Sequence, residues 1–369
     1  MKKHFINLLA LIVILTTSLF VSSCDDNEKN QDNFDRTALL QHYADHLIIP
    51  AYTTLLTDIN SLQTAATTFT ETPSTNNLAA VQTAWRNAYS SWQFANAFNF
   101  GPAGEAGLKK TLVTEIGLFP VSTTKIEAAI SSGIYNLSDA NRNARGFLAV
   151  EYLLFSLTDD NNAVVASFEN TTRRQYLLDL ISNIKTQVST VSTAWTSYKT
   201  EFIANNGTAT GSGVSFLYNE LVSSYENVKN YKVAFPLGLM AGQTATSPGD
   251  VEAYYSGASL KMLKLHIQSL ENIWNGKGLN GTDGIGFKEY LDAVEGGPAL
   301  VTTIQNQFTA IHAKLDALDD DKRFSDEVDT NAAPYVALQT ELQKNVYNLK
   351  SEMSSLLGIA ITFSSADGD

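Results

Sequence analysis

Apolar residues recur at three- and four-residue steps along most of the chain, the spacing that lines one face of a helix. Leu39, Leu40, Tyr43, Leu47, Tyr52, Leu55, Leu56, Ile59 and Leu62 predict a long helix over 34–69. Pro50 should break or kink it after Ile49. Pro73 and Ser74 then punctuate, and Leu78, Val81, Trp85, Tyr89 and Trp92 predict a second helix over 77–98. Gly101-Pro102 marks a loop. Shorter helices are expected over 108–117 and 122–131, followed by an N-cap at Ser138 that leads into the segment around residue 151. A polar connection at 158–163 precedes a helix over 168–204, with Tyr176, Leu180, Ile184, Val188, Val191, Trp195 and Phe202 on one face. After the loop NNGTATGSG, further helices are expected over 214–233, 254–274, 298–318 and 332–356.

No convincing run alternates in the manner of a strand, so the fold class is all-α: helical bundles joined by polar connections. The length allows two domains, divided here as 34–175 and 176–369. Trp85 with Tyr89 in one half and Trp195 with Tyr198 in the other form an echo that fits an internal duplication.

The N-terminus changes the picture of where the chain resides. MKKHFINLLALIVILTTSLFVSSC places two lysines before an apolar run, then small residues before Cys24, the layout of a secretory signal over 1–23. The run is shorter than the roughly 20 residues a spanning helix needs. Val21-Ser22-Ser23-Cys24 resembles a bacterial lipobox, which implies lipid on Cys24 as the link to the membrane. Cys24 is the only cysteine, so an internal disulfide or multi-cysteine metal site is excluded. Residues 24–33, polar and acidic, read as a flexible tether, and acids directly after such a cysteine resemble surface-export signals. The expected location is the outer membrane of a Gram-negative envelope, on its periplasmic side or at the cell surface. The formal charge of −13 becomes −15 once Lys2 and Lys3 leave with the signal, which argues against a nucleic-acid partner.

One letter is out of place in ARGFLAVEYLLF, residues 144–155. Glu151 interrupts an apolar run, and a carboxylate in such surroundings costs several kcal/mol (roughly) unless it is paired or protonated. Leu148 lies one turn behind it on the same face. A histidine there would make half of a metal site, an imidazole and a carboxylate converging on one point.

The stretch from Gly146 to Phe155 resembles the signature of the imelysin family, G-x-H-x-x-E, with Gly146 and Glu151 in place and Leu148 standing for the histidine. The resemblance spans nearly the whole chain after the signal. It rests on Ile49-Pro50-Ala51-Tyr52, Ala84-Trp85 with Trp92, and Phe100-Gly101-Pro102 in the first half. In the second half it rests on Lys232, Phe235-Pro236-Leu237-Gly238, Tyr255-Ser256-Gly257-Ala258-Ser259-Leu260, the run Leu357 to Phe363, and Asp367-Gly368-Asp369. It implies two related helical bundles with a pocket at their junction, in envelope proteins tied to iron or haem uptake, some classed as metallopeptidases. Two further departures stand out: Asn96 where relatives often carry an acid, and Ala258 where a basic residue is common.

These departures decide the reading. A peptidase zinc site usually needs three protein ligands and an open position, and one is visible here. The expected pocket gathers Gly146, Leu148 and Glu151 with Arg86 and Lys232 as candidate counter-ions, while Ser256 and Ser259 supply hydrogen bonds. Such a pair predicts that Glu151→Gln costs roughly 3 kcal/mol or more. The alternative at this residue is a carboxylate that reaches solvent. Arg145, six residues earlier, is too far along the helix for easy pairing. His42 and His46 have ligand spacing but read as a solvated face, and His266 and His312 as lone helical histidines. Asp283–Phe287 lacks the alternating oxygens of a calcium loop, and Asp319-Asp320-Asp321 reads as a solvated turn. The function expected is a non-catalytic binding or accessory component of iron or haem acquisition, with no resident cofactor assigned and iron or zinc as the candidates. The rivals are a metallopeptidase and a structural surface lipoprotein.

Overall fold

Pro50 sits in the first turn of a helix, not at the end of one. Residues 34–106 and 109–363 are described in the computed structural model, and every regular element among them is helical. The chain enters through α1 (Arg36–His42), widens into a π turn over Tyr43–Ile48, and continues without a break as α2 (Ile49–Glu71). A proline cannot donate to the carbonyl four residues back and its ring crowds that carbonyl. The wider turn in front of Pro50 accommodates both effects, and the kink expected after Ile49 takes this form.

The first group of packed helices is α2, α3 (Thr75–Ala95), α6 (Phe147–Leu154) and α8 (Thr171–Ala204). Between α3 and α6 run α4 (Leu112–Ile116) and α5 (Thr123–Ser132), and α7 (Asn161–Ser167) precedes α8. Side-chain caps open several of these. Ser74 accepts from Asn77 N at 3.2 Å, and Asn170 from Thr172 N at 2.8 Å. Ser138 does not work this way: it precedes a 3₁₀ segment, Asp139–Ala144, without a side-chain cap, and the helix carrying Glu151 starts only after Gly146. The second group comprises α9 (Gly213–Asn227), which runs into a π turn over Val228–Ala234, α10 (Ser259–Asn275), α11 (Phe287–Asp292), α12 (Gly297–Asp316), α13 (Phe324–Thr330), α14 (Ala333–Tyr347) and α15 (Met353–Leu357). α12 packs on α14, and α10 packs on α3, joining the two groups within a body that starts at Asp35.

The boundary expected at 175/176 falls inside the unbroken helix α8. Trp85 and Trp195 are both fully buried, but Trp85 Nε1 donates to the Phe147 carbonyl at 2.9 Å while Trp195 Nε1 is buried without an acceptor. Buried tyrosines lock the packing by donating to main-chain carbonyls of distant elements. Tyr52 reaches Phe98 O at 2.7 Å, Tyr176 reaches Ala144 O at 2.6 Å and Tyr225 reaches Leu342 O at 3.1 Å. Each satisfies a hydroxyl that would otherwise be costly to bury. No helix among the described residues is long and apolar enough to cross a membrane. The signal over 1–23, Cys24, the tether to residue 33 and Asp367–Asp369 lie outside the described residues.

Candidate functional site

The helix α6 is apolar on every side, and of its eight residues only Tyr152 escapes full burial. Gly146 makes the sharp entry into it, with φ 85° and ψ −173°, a backbone region essentially reserved for glycine. A Cβ at this position would fall on the carbonyl of Ile116. Glu151 is therefore carried inward on a short, wholly packed helix and is 1 % exposed.

Its partner is a backbone amide. Ser256 N donates to Glu151 Oε1 at 2.8 Å, from the turn that precedes α10. Burial pushes the Glu151 carboxyl up to about 7; Ser256 opposes the rise, the nearby Glu252 adds to it, and Arg86 draws it down slightly. The counter-ion expected for Glu151 is engaged elsewhere. Lys232 Nζ lies 2.9 and 2.8 Å from the two carboxylate oxygens of Glu252, and also donates to Gln93 Oε1 at 2.8 Å. Tyr89 donates to the same Glu252 Oε1 at 2.6 Å. Lys232 is drawn to Glu252 because both are buried and only pairing offsets their lost hydration. Arg86 packs its guanidinium 4.6 Å over the Phe155 ring and acts on Glu151 through space.

The remaining candidates from the sequence are engaged in several different places. Ser259 Oγ donates to the Glu252 carbonyl, so it fixes the turn instead of bonding Glu151. Leu148, in the motif's histidine position, and Ala258, in the block from Tyr255 to Leu260, are both buried apolar side chains. Arg145 binds Glu115, which also accepts from Arg142 Nε at 3.0 Å, a buried cluster that ties the 109–115 segment to residues 137–145. His42 Nε2 lies 2.6 Å from the Gly276 carbonyl, and its ring is 4.8 Å from that of His46. His312 pairs with Glu271 at 2.7 Å, which holds its imidazole above the usual range.

Sequence reasoning missed a cavity of about 540 Å³ on the far side of the Lys232–Glu252 pair. Trp92, Asn96, Phe119, Tyr231 and Phe235 line it together with Glu220, Asp250, Lys232, Glu252, Ser224 and His266. Its size is that of small-molecule pockets. The signal was present in Glu220, an acid set between the buried Leu217, Tyr218, Leu221 and Val222 of α9. Burial pushes the Glu220 carboxyl up to about 8. Ser224 Oγ lies 2.8 Å from His266 Nε2, but this does not make a nucleophile and base. Burial and the Lys232 charge hold the imidazole well below its usual range, and its Nδ1 has no acid to orient it.

The family model for imelysin, of the peptidase M75 type, matches residues 48–353. The chain belongs to the imelysin family. Over 290 residues it is 22 % identical to an iron-regulated protein A of Synechococcus elongatus, covering 76 % of this chain and 75 % of that one. Two crystal structures share the fold. One is a putative iron-regulated protein A precursor from Parabacteroides distasonis, with TM-score 0.73 and 19 % identity over 90 % of this chain and 97 % of that one. The other is an imelysin-like protein from Psychrobacter arcticum, with TM-score 0.70 and 18 % identity over 89 % and 97 %. In this chain the donors near the motif do not fit a transition metal. Glu151 has a leucine one turn behind it, Glu252 is committed to Lys232 and Tyr89, and His266 is turned to Ser224. Among the described residues no three His, Cys, Asp or Glu side chains gather in a metal-holding group.

Proposed function

We propose that this imelysin is a binding component of the cell envelope, tethered through lipid on Cys24, that serves iron or haem acquisition without hydrolysing peptides. The observation that carries the reading is the fate of the motif's acid. Glu151 is buried on a largely apolar helix and bound by a main-chain N–H, where a catalytic metal centre would need further donors and an open coordination position. The cavity of about 540 Å³ bordered by Lys232 and Glu252 supplies what a binding protein requires, a preformed concave space with polar groups among aromatic walls. The link to iron rests on family membership and on the likeness to the Synechococcus relative, an iron-regulated protein A.

The test is to dialyse the purified chain against a chelator, add zinc or ferrous iron, and measure bound metal together with cleavage of unfolded protein substrates. The expected result is less than about 0.1 equivalent of tightly held metal, with no chelator-sensitive cleavage. Stoichiometric metal that Glu151→Gln removes, accompanied by cleavage, would establish the metallopeptidase reading in its place.

A further inference from the structure

We infer that the cavity beside the Lys232–Glu252 pair takes a small organic cation, an ammonium group carried on an apolar or aromatic body. The inference rests on the binding reading above and names its ligand class.

The charge around the cavity is one-sided. Among the described residues Lys232 is the one basic side chain in its wall other than the neutral His266, and it is already spent on Glu252 and Gln93. Glu220 and Asp250 remain. Asp250 accepts from the Ser247 hydroxyl, and nothing but burial governs the Glu220 carboxyl. An anionic ligand would meet two further acids with no spare cation to greet it. A second observation points the same way. Asn96 lines the cavity with a side chain 7 % exposed, and its Oδ1 is a buried acceptor without a donor among the described residues. A turn of this amide toward the cavity would let an N–H of a bound ammonium satisfy it. The walls supplied by Trp92, Phe119, Tyr231 and Phe235 suit an apolar body and favour a cation against their faces.

Proton release should accompany binding. Tyr52 senses the Glu220 charge from α2, and Tyr231, Lys232, Asp250, Glu252 and His266 stand round the same space. Lys232 is held by its pair and His266 is held neutral, which leaves Glu220 to respond. Its carboxyl is mostly protonated at neutral pH and must ionise to meet a cation, so affinity should rise with pH through about 8.

The experiment is calorimetric titration of the full folded chain with three probes of one shape: tryptamine, the uncharged tryptophol, and the anionic indole-3-acetate. At pH 9 tryptamine should bind about tenfold or more tightly than tryptophol, with indole-3-acetate weakest. Its affinity should climb by tens of fold, roughly, from pH 6 to pH 9, with a proton released near neutrality. Glu220→Gln, whose fold is checked by thermal unfolding, should abolish the climb and remove most of the preference for charge. Asp250→Asn, which keeps the shape of the wall, should weaken tryptamine and leave the climb in place. Equal binding of tryptophol, tighter binding of indole-3-acetate, a climb that survives in Glu220→Gln, or no tryptamine binding up to roughly millimolar concentration would each overturn the inference. Those failures leave the binding reading intact, because that reading falls only to metal-dependent cleavage.

Discussion

Replacing Lys232 by methionine should cost this protein about 3–5 kcal/mol of folding stability at neutral pH. Methionine fills nearly the same space, so the loss comes from charge and not from a void. Glu252 is 3 % exposed and Lys232 is 7 % exposed, so each has little access to water for compensation. With the amine gone, the Glu252 carboxylate keeps the Tyr89 hydroxyl but loses its only close cation among the described residues. Urea unfolding of the variant measures the loss. The double variant Lys232→Met with Glu252→Gln should recover most of it, because a neutral amide at 252 has no charge left to strand. A single variant within a few tenths of a kcal/mol of the parent would show that the pair is hydrated in solution.

Gly146→Ala should be almost as damaging, at roughly 3–5 kcal/mol. Two costs add there. The backbone region at φ 85° and ψ −173° is hostile to any L side chain, and the new methyl group would collide with the Ile116 carbonyl, which is main chain and cannot swing aside. Gly242 separates the two costs, since it also has a positive φ of 83° but opens onto free space. Gly242→Ala should therefore lose only about 1–2 kcal/mol, the conformational part alone. Equal losses at both sites in thermal or urea unfolding would mean that the entry into α6 relaxes. The motif's glycine thus has a geometric duty that persists although the histidine two residues later has become leucine.

How far the letters carried can be read from particular residues. The long helices followed from three- and four-residue spacing: the continuous run from α1 through α2, and α3, α8 and α12, lie within a few residues of their expected spans. The short helices α7, α11 and α13 went unseen, because six or seven residues give too little periodicity to stand out from a loop. Ser138 misled because a cap residue does not reveal which kind of helix follows it. Glu151 was legible as an inward acid from its apolar flanks. Its partner was not, since a backbone N–H contributed by residue 256 has no side-chain signature. Glu252 escaped notice because it sits just before the block that begins at Tyr255, and its link to Lys232 exists only in the folded turn.

The central claim is that Glu151 is held by burial and by Ser256, without a metal or a close cation among the described residues. Comparing Glu151→Gln with the parent by urea unfolding at pH 5 and pH 8 tests it most directly. The folded carboxyl titrates near 7 against an ordinary value of 4.5, so the folded state holds its proton longer than the unfolded chain. The parent therefore loses stability as pH rises between those values and regains none above them, while glutamine does not titrate. Between pH 5 and pH 8 the difference should shift by roughly 2.5 kcal/mol in favour of the glutamine variant. A difference that stays constant, or that moves toward the parent as pH rises, would mean that the ionised carboxylate has a cation or metal to hold, and the account would be contradicted.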